Sequence, residues 1–196
     1  MDYRTNSQDL LKTLKTLETW DSLLPGRGKL RLIACGGTAM TLLGYKESTK
    51  DVDLLLPETT EHGRLISFLR QAGYEPITSY GWKRPDEVIL FDIYEGNRVY
   101  STELLSSPLE EGGHRKICEW NKIYLGALNP MDLIISKMFR GDEVDIQDSL
   151  LLMEKERVNL KRLETRYRAT AKYDVGEEKV LRNFERLRKR LKKDNQ

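Results

Sequence analysis

The hydrophobic residues of the first 128 positions follow both helical and strand periods. Residues 7–24 place an apolar side chain every three or four positions, which predicts an amphipathic helix. Short apolar runs bounded by Gly, Pro and polar residues predict strands instead. The predicted strands are 29–34, 51–56, an edge strand at 74–77, 87–94 with a hairpin return at 98–102 after Gly96 and Asn97, and a second hairpin of 116–119 with 122–125. Two further helices are predicted at 38–43 and 60–71.

The pattern after Leu128 is helical throughout. Pro130 suits the first turn of a helix, and Gly141 separates that helix from the next. The predicted helices are 130–140, 142–154, 159–170 and 177–193. The fold class predicted from these elements is α/β (α+β), with a small mixed β-sheet flanked by helices and followed by a C-terminal helical region. The predicted domains are 1–128 and 129–196.

Charge is distributed unevenly along the chain. The net charge of +2 combines a net of −6 over residues 1–154 (18 basic, 24 acidic) with +8 over residues 155–196 (15 basic, 7 acidic). The last predicted helix carries Val180, Phe184 and Leu187 on one side and several Arg and Lys residues on the other. This basic tail is typical either of a polyanion contact or of a solvated helix.

Several classes of protein are disfavoured by the sequence. Two cysteines, Cys35 and Cys118, lack metal or disulfide spacing, so a reducing cytoplasm is the simpler interpretation. His62 and His114 have no ligand partners at zinc spacing. No apolar run approaches the roughly 20 residues of a membrane span, and no signal-peptide pattern is expected at the start. No phosphate-binding loop of the Gly-x-x-x-x-Gly-Lys type is present.

The candidate chemistry is concentrated in residues 32–56. Gly36 and Gly37 end the first strand and can bring backbone N–H groups close to a phosphate. Asp51 and Asp53 are separated by one residue, so along a strand they project to the same side. Adjacent carboxylates repel each other unless a cation lies between them, and oxygen-only ligands favour Mg²⁺ or Mn²⁺. A phosphate cradle beside metal carboxylates indicates nucleotide chemistry.

A third carboxylate, Asp92, lies in the apolar segment 87–94. Two-metal nucleotidyl transfer needs carboxylates that hold two cations about 4 Å apart, and Asp92 on a neighbouring strand could bridge to the second cation or act as general base. The alternative interpretation is structural: Asp51 and Asp53 cap a loop, and Asp92 pairs with an arginine.

These motifs resemble those of the DNA-polymerase-β-like nucleotidyltransferases. The resemblance lies in Cys35-Gly36-Gly37-Thr38, Asp51-Val52-Asp53 and the later Asp92. The common pattern has serine directly after the first glycine, whereas here Gly37 occupies that place and Thr38 follows. Thr49, two residues before the first aspartate, makes the sequence more similar to the AbiEii-type toxins of type IV toxin–antitoxin systems and their relatives.

The resemblance extends to the helical region and implies further site residues. A lysine followed by Asp-x-x-Asp corresponds here to Lys137, Asp145 and Asp148. It implies that Lys137 contacts the nucleotide phosphates together with Gly36, Gly37 and Thr38, and that Asp145 or Asp148 is an additional polar member of the nucleotide site. It also implies that Asp51, Asp53 and Asp92 bind metal and, with Lys137, are the catalytic residues.

The predicted activity is metal-dependent transfer of a nucleoside monophosphate from an NTP to an acceptor hydroxyl. The resemblance implies RNA, such as the 3′ end of a tRNA, or a protein side chain as acceptor, and an antitoxin as partner. The basic tail favours RNA, bound through residues 177–196. Two alternatives stay open: a catalytically silent protein of the same fold that binds RNA or a partner protein, and a nucleotidyltransferase acting on small molecules. The expected location is the cytoplasm.

Overall fold

The computed structural model describes residues 7–47 and 49–194. The described residues form seven helices and nine strands. In chain order these are α1 (Ser7–Leu23), β1 (Leu30–Ala34), α2 (Gly36–Leu42), β2 (Val52–Leu56), α3 (Thr59–Gln71), β3 (Glu75–Pro76), β4 (Gly81–Lys83), β5 (Phe91–Glu95), β6 (Arg98–Val99), β7 (Thr102–Glu103), β8 (His114–Glu119), β9 (Ile123–Leu128), α4 (Pro130–Arg140), α5 (Glu143–Lys155), α6 (Leu160–Ala171) and α7 (Glu177–Asp194). The predicted α+β class is confirmed.

The chain divides into two compact units. One, the sheet unit, comprises Met1–Asn97 and Ser107–Leu128; the other, the helical unit, comprises Arg98–Ser106 and Asn129–Gln196. The helical unit therefore includes a short segment that the predicted division at Leu128 assigns to the core. The functional division into two domains stays a prediction.

The sheet unit is built on a mixed seven-stranded sheet of order β3-β4-β5-β2-β1-β9-β8. Parallel pairing joins β2 to β5 and β1 to β9, and the other neighbours are antiparallel. Strands β1 and β2 are covered on both faces of the sheet. Leu54 and Leu55 of β2 point to opposite faces and are both completely buried, as are Leu32 and Ile33 of β1. The predicted hairpin of β8 and β9 and the predicted edge strand near residue 75 are confirmed.

An aromatic cluster fills one face of this sheet. Trp20 of α1 packs on Phe68 of α3, on Tyr74 and on Phe91 of β5, with ring centroids 4.7 Å apart for Trp20 and Phe91. Successive strand residues point to opposite faces, so Phe91 faces this cluster and Asp92 faces the other side of the sheet. The packing of α1 and α3 thus determines which face carries the acidic residues.

Two predictions of local structure are wrong. The strand predicted at 87–94 begins only at Phe91, and Val88 is 88% exposed. The segment 98–102 does not return along β5, because β5 is already paired on both sides with β2 and β4; instead β6 pairs with β7 in a separate small sheet. The three-residue strand β4 was not predicted.

The four helices predicted after Leu128 are confirmed as α4, α5, α6 and α7 of the helical unit. Asn129, Asp142 and Asn159 cap α4, α5 and α6 through their side chains, and Gly141 ends α4 in a left-handed conformation with φ of 72°. The predicted apolar side of α7 is buried within this unit, since Val180, Phe184 and Leu187 are at most 2% exposed. Among the described residues, no helix is long and apolar enough to cross a membrane.

Candidate active site

The glycine turn after β1 lies directly against the carboxylate of Asp53. Helix α2 begins at Gly36 itself, two residues earlier than the predicted start. Gly36 has φ of 55°, and a Cβ added to it would lie 2.5 Å from Asp53 Oδ2. At Gly37 an added Cβ would lie 2.5 Å from Thr49 Oγ1. Both glycines are therefore required by close approach, and no serine fits at position 37 unless Thr49 moves.

Thr38 connects this turn to the start of β2. Its buried hydroxyl donates to the carbonyl oxygen of Asp51 (3.0 Å) and accepts from the backbone N–H of Asp53 (2.8 Å). The Thr49 hydroxyl also donates to the Asp51 carbonyl (3.1 Å). Thr38 thus fixes the backbone on which the two aspartates stand. Its predicted contact with a nucleotide stays a prediction.

Asp53 and Asp92 face each other across two parallel strands. They are direct partners in the β2–β5 register, so their side chains project from the same face of the sheet. Asp51 immediately precedes β2, and all three residues are half-buried. Burial and the charge of Asp51 raise the pKa of Asp92 to about 6. Burial also raises the pKa of Asp51, against the opposing effect of Lys50.

This carboxylate chemistry fits a hard divalent cation. Two half-buried carboxylates with raised pKa values are stabilised in their ionised form by a nearby positive charge, and oxygen donors suit Mg²⁺ or Mn²⁺. Within residues 7–47 and 49–194, however, no three His, Cys, Asp or Glu side chains converge on one point as a metal-binding group. Metal binding by Asp51, Asp53 and Asp92 therefore stays a prediction.

Two tyrosines beside Asp92 were not predicted. Tyr94 lies two residues beyond Asp92 on β5 and packs against Tyr80, with ring centroids 5.1 Å apart and ring planes tilted by 34°. Burial, then the charges of Asp53, Cys35 and Asp92, raise the pKa of Tyr94 far above its usual range. Strand alternation places Tyr94 on the same face as Asp92, so its position beside the carboxylate could have been predicted from the strand pattern. Tyr80 precedes β4, a strand too short to be predicted from the sequence.

In the helical unit, Lys137 forms a buried ion-paired cluster with the two predicted aspartates. Lys137 is 4% exposed, and its Nζ donates to Asp148 (2.7 Å) and lies 4.0 Å from Asp145 Oδ1. Asp145 is completely buried and accepts two hydrogen bonds from the Arg140 guanidinium, at 2.7 and 2.6 Å. The structure thus brings the three residues together, while their role toward a nucleotide stays a prediction.

Part of the predicted basic face of α7 is engaged inside the helical unit. Arg186 donates to the carbonyl of Gly141, and Arg190 pairs with Glu143. Arg182 lies 3.6 Å from Glu178 on its own helix. Several of the basic side chains predicted to contact a polyanion are therefore already paired, with Glu143, with Glu178 or with the carbonyl at the C-terminus of α4.

A mixed sheet that sets a glycine turn against strand aspartates defines the chain as a nucleotidyltransferase-type protein. Residues 11–196 match a family described as nucleotidyltransferase of unknown function (DUF6036), and the chain belongs to that family. Its enzyme class is accordingly that of the nucleotidyltransferases. The closer resemblance to AbiEii-type toxins stays a prediction.

Solved structures share the fold at low sequence identity. A crystal structure of ANT(2″)-Ia in complex with adenylyl-2″-tobramycin has a TM-score of 0.56 and 17% identity over 83% of this chain and 97% of that chain. A solution structure of the antibiotic-resistance factor ANT(2″)-Ia has a TM-score of 0.55 and 18% identity over 84% and 92% of the two chains. No curated protein matches the chain.

Proposed function

We propose that the protein transfers a nucleoside monophosphate from an NTP to an acceptor hydroxyl in the presence of Mg²⁺ or Mn²⁺. The main support for this proposal is that Asp53 and Asp92 are partners in the parallel pairing of β2 with β5, and that Asp53 contacts the turn at Gly36. This arrangement places carboxylates beside a turn whose backbone can approach a phosphate.

The reaction follows from the chemistry of these groups. The acceptor oxygen attacks the α-phosphorus, the bond from that phosphorus to the β-phosphate oxygen breaks, and pyrophosphate leaves. Asp92, the register partner of Asp53, either accepts the proton of the attacking hydroxyl or joins Asp51 and Asp53 in holding the divalent cation. That cation, when bound, would neutralise charge on the triphosphate.

Lys137 is retained in the proposal as a phosphate contact, with Asp145 or Asp148 as a further polar member. What supports this role is the family resemblance and the fixed position of the amine. Its Nζ donates to Asp148 at 2.7 Å and lies 4.0 Å from Asp145 Oδ1.

We favour a small hydroxylated molecule over RNA as the acceptor. ANT(2″)-Ia, which shares the fold, binds an adenylylated form of tobramycin. The basic face of α7, which suggested RNA, has Arg186 and Arg190 engaged within its own unit. The family resemblance supports two other acceptors, the 3′ end of a tRNA and a protein. It also supports a toxin role with an antitoxin partner. The test below distinguishes the RNA and protein acceptors from a small molecule.

The test is incubation of the full chain with Mg²⁺, labelled NTPs and three probes: tobramycin, total RNA and total cell protein. We expect label to move to one probe with release of pyrophosphate. Asp53→Asn should abolish transfer. Asp86→Asn should not, because Asp86 is an exposed aspartate of the same unit that pairs only with Arg84 among the described residues. Full activity in the Asp53 variant would contradict the proposal, and RNA binding without NTP binding would identify a catalytically silent protein.

A further inference from the structure

Two threonine hydroxyls converge on one backbone oxygen, the carbonyl of Asp51. Thr38 of α2 donates to it at 3.0 Å, and Thr49, in the loop before β2, donates to it at 3.1 Å. A carbonyl oxygen has two lone pairs, so these two bonds use both of them. The two side chains thus form a hydroxyl clamp on the backbone of Asp51.

The hydroxyl clamp acts on a segment that the sheet does not hold. Asp53 belongs to β2, so its backbone is fixed by the pairing with β5 and by the N–H of Cys35, which donates to its carbonyl at 3.1 Å. Asp51 precedes β2, and the strand pairing begins only at Val52. The position of Asp51 relative to Asp53 therefore depends on the clamp more than on the sheet.

The Thr38 hydroxyl is fully occupied by the two aspartates. Thr38 is only 2% exposed, and its oxygen also accepts the backbone N–H of Asp53 at 2.8 Å. A hydroxyl has a single proton to donate, and this proton is used by the Asp51 carbonyl. A hydrogen bond from Thr38 to a phosphate oxygen would require that bond to break. Thr38 therefore connects the backbones of both aspartates to α2.

Gly37 provides the space for the other half of the clamp. A Cβ added to Gly37 would lie 2.5 Å from Thr49 Oγ1 and 3.3 Å from Thr49 Cβ. Any side chain at position 37 would push Thr49 away from the Asp51 carbonyl. The glycine that replaces the common serine thus accompanies a threonine hydroxyl from the adjoining loop.

We infer that Thr38 and Thr49 are positioning residues for the divalent cation. They fix the backbone from which the Asp51 and Asp53 carboxylates project, and they act on the reaction through cation affinity, without a side-chain contact to the nucleotide. Groups that orient metal ligands commonly change metal affinity about 10-fold to 100-fold when they are removed. The inference rests on the proposed function.

Mn²⁺ binding to the full chain without NTP tests the inference, followed by the electron paramagnetic resonance signal of free Mn²⁺. Thr38→Val and Thr49→Val keep the side-chain shape and remove the hydroxyl. The matched control is Thr41→Val, because the Thr41 hydroxyl is also buried in α2 but donates to the Gly37 carbonyl of its own helix at 3.0 Å.

The expected effects follow the number of hydrogen bonds lost. Thr38→Val, which loses two, should raise the Mn²⁺ dissociation constant about tenfold or more, and Thr49→Val, which loses the bond to Asp51, about fivefold. Thr41→Val should change it less than about twofold, and Thr38→Ser, which keeps the hydroxyl, should bind Mn²⁺ as the wild type does. At saturating Mn²⁺ the NTP KM of Thr38→Val should stay within about twofold of the wild-type value.

Each outcome decides between the inference and the function beneath it. Mn²⁺ affinities in Thr38→Val and Thr49→Val no weaker than in Thr41→Val would overturn the inference and leave nucleotidyl transfer intact. A raised NTP KM at saturating Mn²⁺ with unchanged Mn²⁺ affinity would make Thr38 a nucleotide contact and overturn the inference as well. So would a wild type that transfers label without binding Mn²⁺.

A wild type that labels none of tobramycin, RNA and protein would overturn the proposed function itself. Far-UV circular dichroism checks the fold of each variant. If Thr38→Val does not fold, the half-buried Thr49→Val decides the inference by the same comparison with Thr41→Val.

Discussion

Replacing Asp92 with asparagine should stabilise the metal-free protein at neutral pH. Burial and the charge of Asp51 raise the pKa of Asp92 from its ordinary 3.8 to about 6. The ionised form is therefore disfavoured in the folded state, so stability is lost as the pH rises from about 4 through 6. At about 1.36 kcal/mol per pKa unit the full shift corresponds to roughly 3 kcal/mol. Because Asp92 is half-exposed and screened by solvent, we expect about 1 kcal/mol.

Urea unfolding followed by tryptophan fluorescence measures this difference. Trp20 packs on Phe91, the neighbour of Asp92, and so reports on the same strand. Asp92→Asn should be more stable than wild type by about 1 kcal/mol at pH 7.5 without metal, and equal to it at about pH 3, where the aspartate is protonated in both the folded and the unfolded state. Excess Mg²⁺ should stabilise the wild type alone. An asparagine variant that is less stable than wild type at pH 7.5 without metal would refute this reasoning.

Three further predictions concern single residues. Lys137→Met should lower the free energy of unfolding by about 3–5 kcal/mol, because it leaves the buried Asp148 carboxylate without its Lys137 hydrogen bond. The double variant Lys137→Met with Asp148→Leu should regain most of the lost stability in the same urea assay. Gly36→Ala should abolish nucleotidyl transfer, since a left-handed φ and a Cβ against the β2 carboxylate both oppose it; retained transfer would contradict the described turn. Phe184→Ala should lower the free energy of unfolding by about 3–5 kcal/mol, because Phe184 is buried against Tyr167 in the helical unit, and unfolding followed by circular dichroism measures this loss. Deletion of residues 177–196 should therefore unfold the helical unit and remove more than the predicted RNA contact. An unchanged unfolding midpoint in Phe184→Ala would show that α7 is not part of that unit's core.

Local patterns predicted the elements that carry the site. The apolar runs around Ile33 and Leu54 gave both central strands, because buried strands need continuous hydrophobic sequence. The double glycine and the two aspartates were recognisable because their chemistry depends on neighbours in sequence. The capped helices after Leu128 were equally local, with Pro130 at the start of α4 and Gly141 at its end.

Pairings between distant segments could not be predicted in the same way. The strand β4 is formed by Gly81–Lys83, too short for any period, and depends on β5 for its hydrogen bonds. The exact partner of Asp92 is set by the parallel register of β2 and β5, which no sequence pattern specifies. The pairing of Lys137 with Asp148 likewise depends on how α4 packs on α5.

The charge of the C-terminal segment illustrates the same difference. The net charge of +8 beyond residue 154 is a property of composition. How much of it is available to a polyanion depends on tertiary contacts, such as those of Arg186 with the end of α4 and of Arg190 with Glu143. Composition alone therefore favoured RNA more strongly than the structure does.

The position of the transferred phosphorus tests the central claim most directly. NTPs labelled at the α- or the γ-phosphate are incubated with Mg²⁺ and the accepting probe, using wild type and Asp53→Asn. Nucleotidyl transfer predicts that α-label alone enters the acceptor, in equal amount to released pyrophosphate, and that the Asp53 variant transfers none. Incorporation of γ-label, or undiminished α-label transfer by Asp53→Asn, would contradict the account.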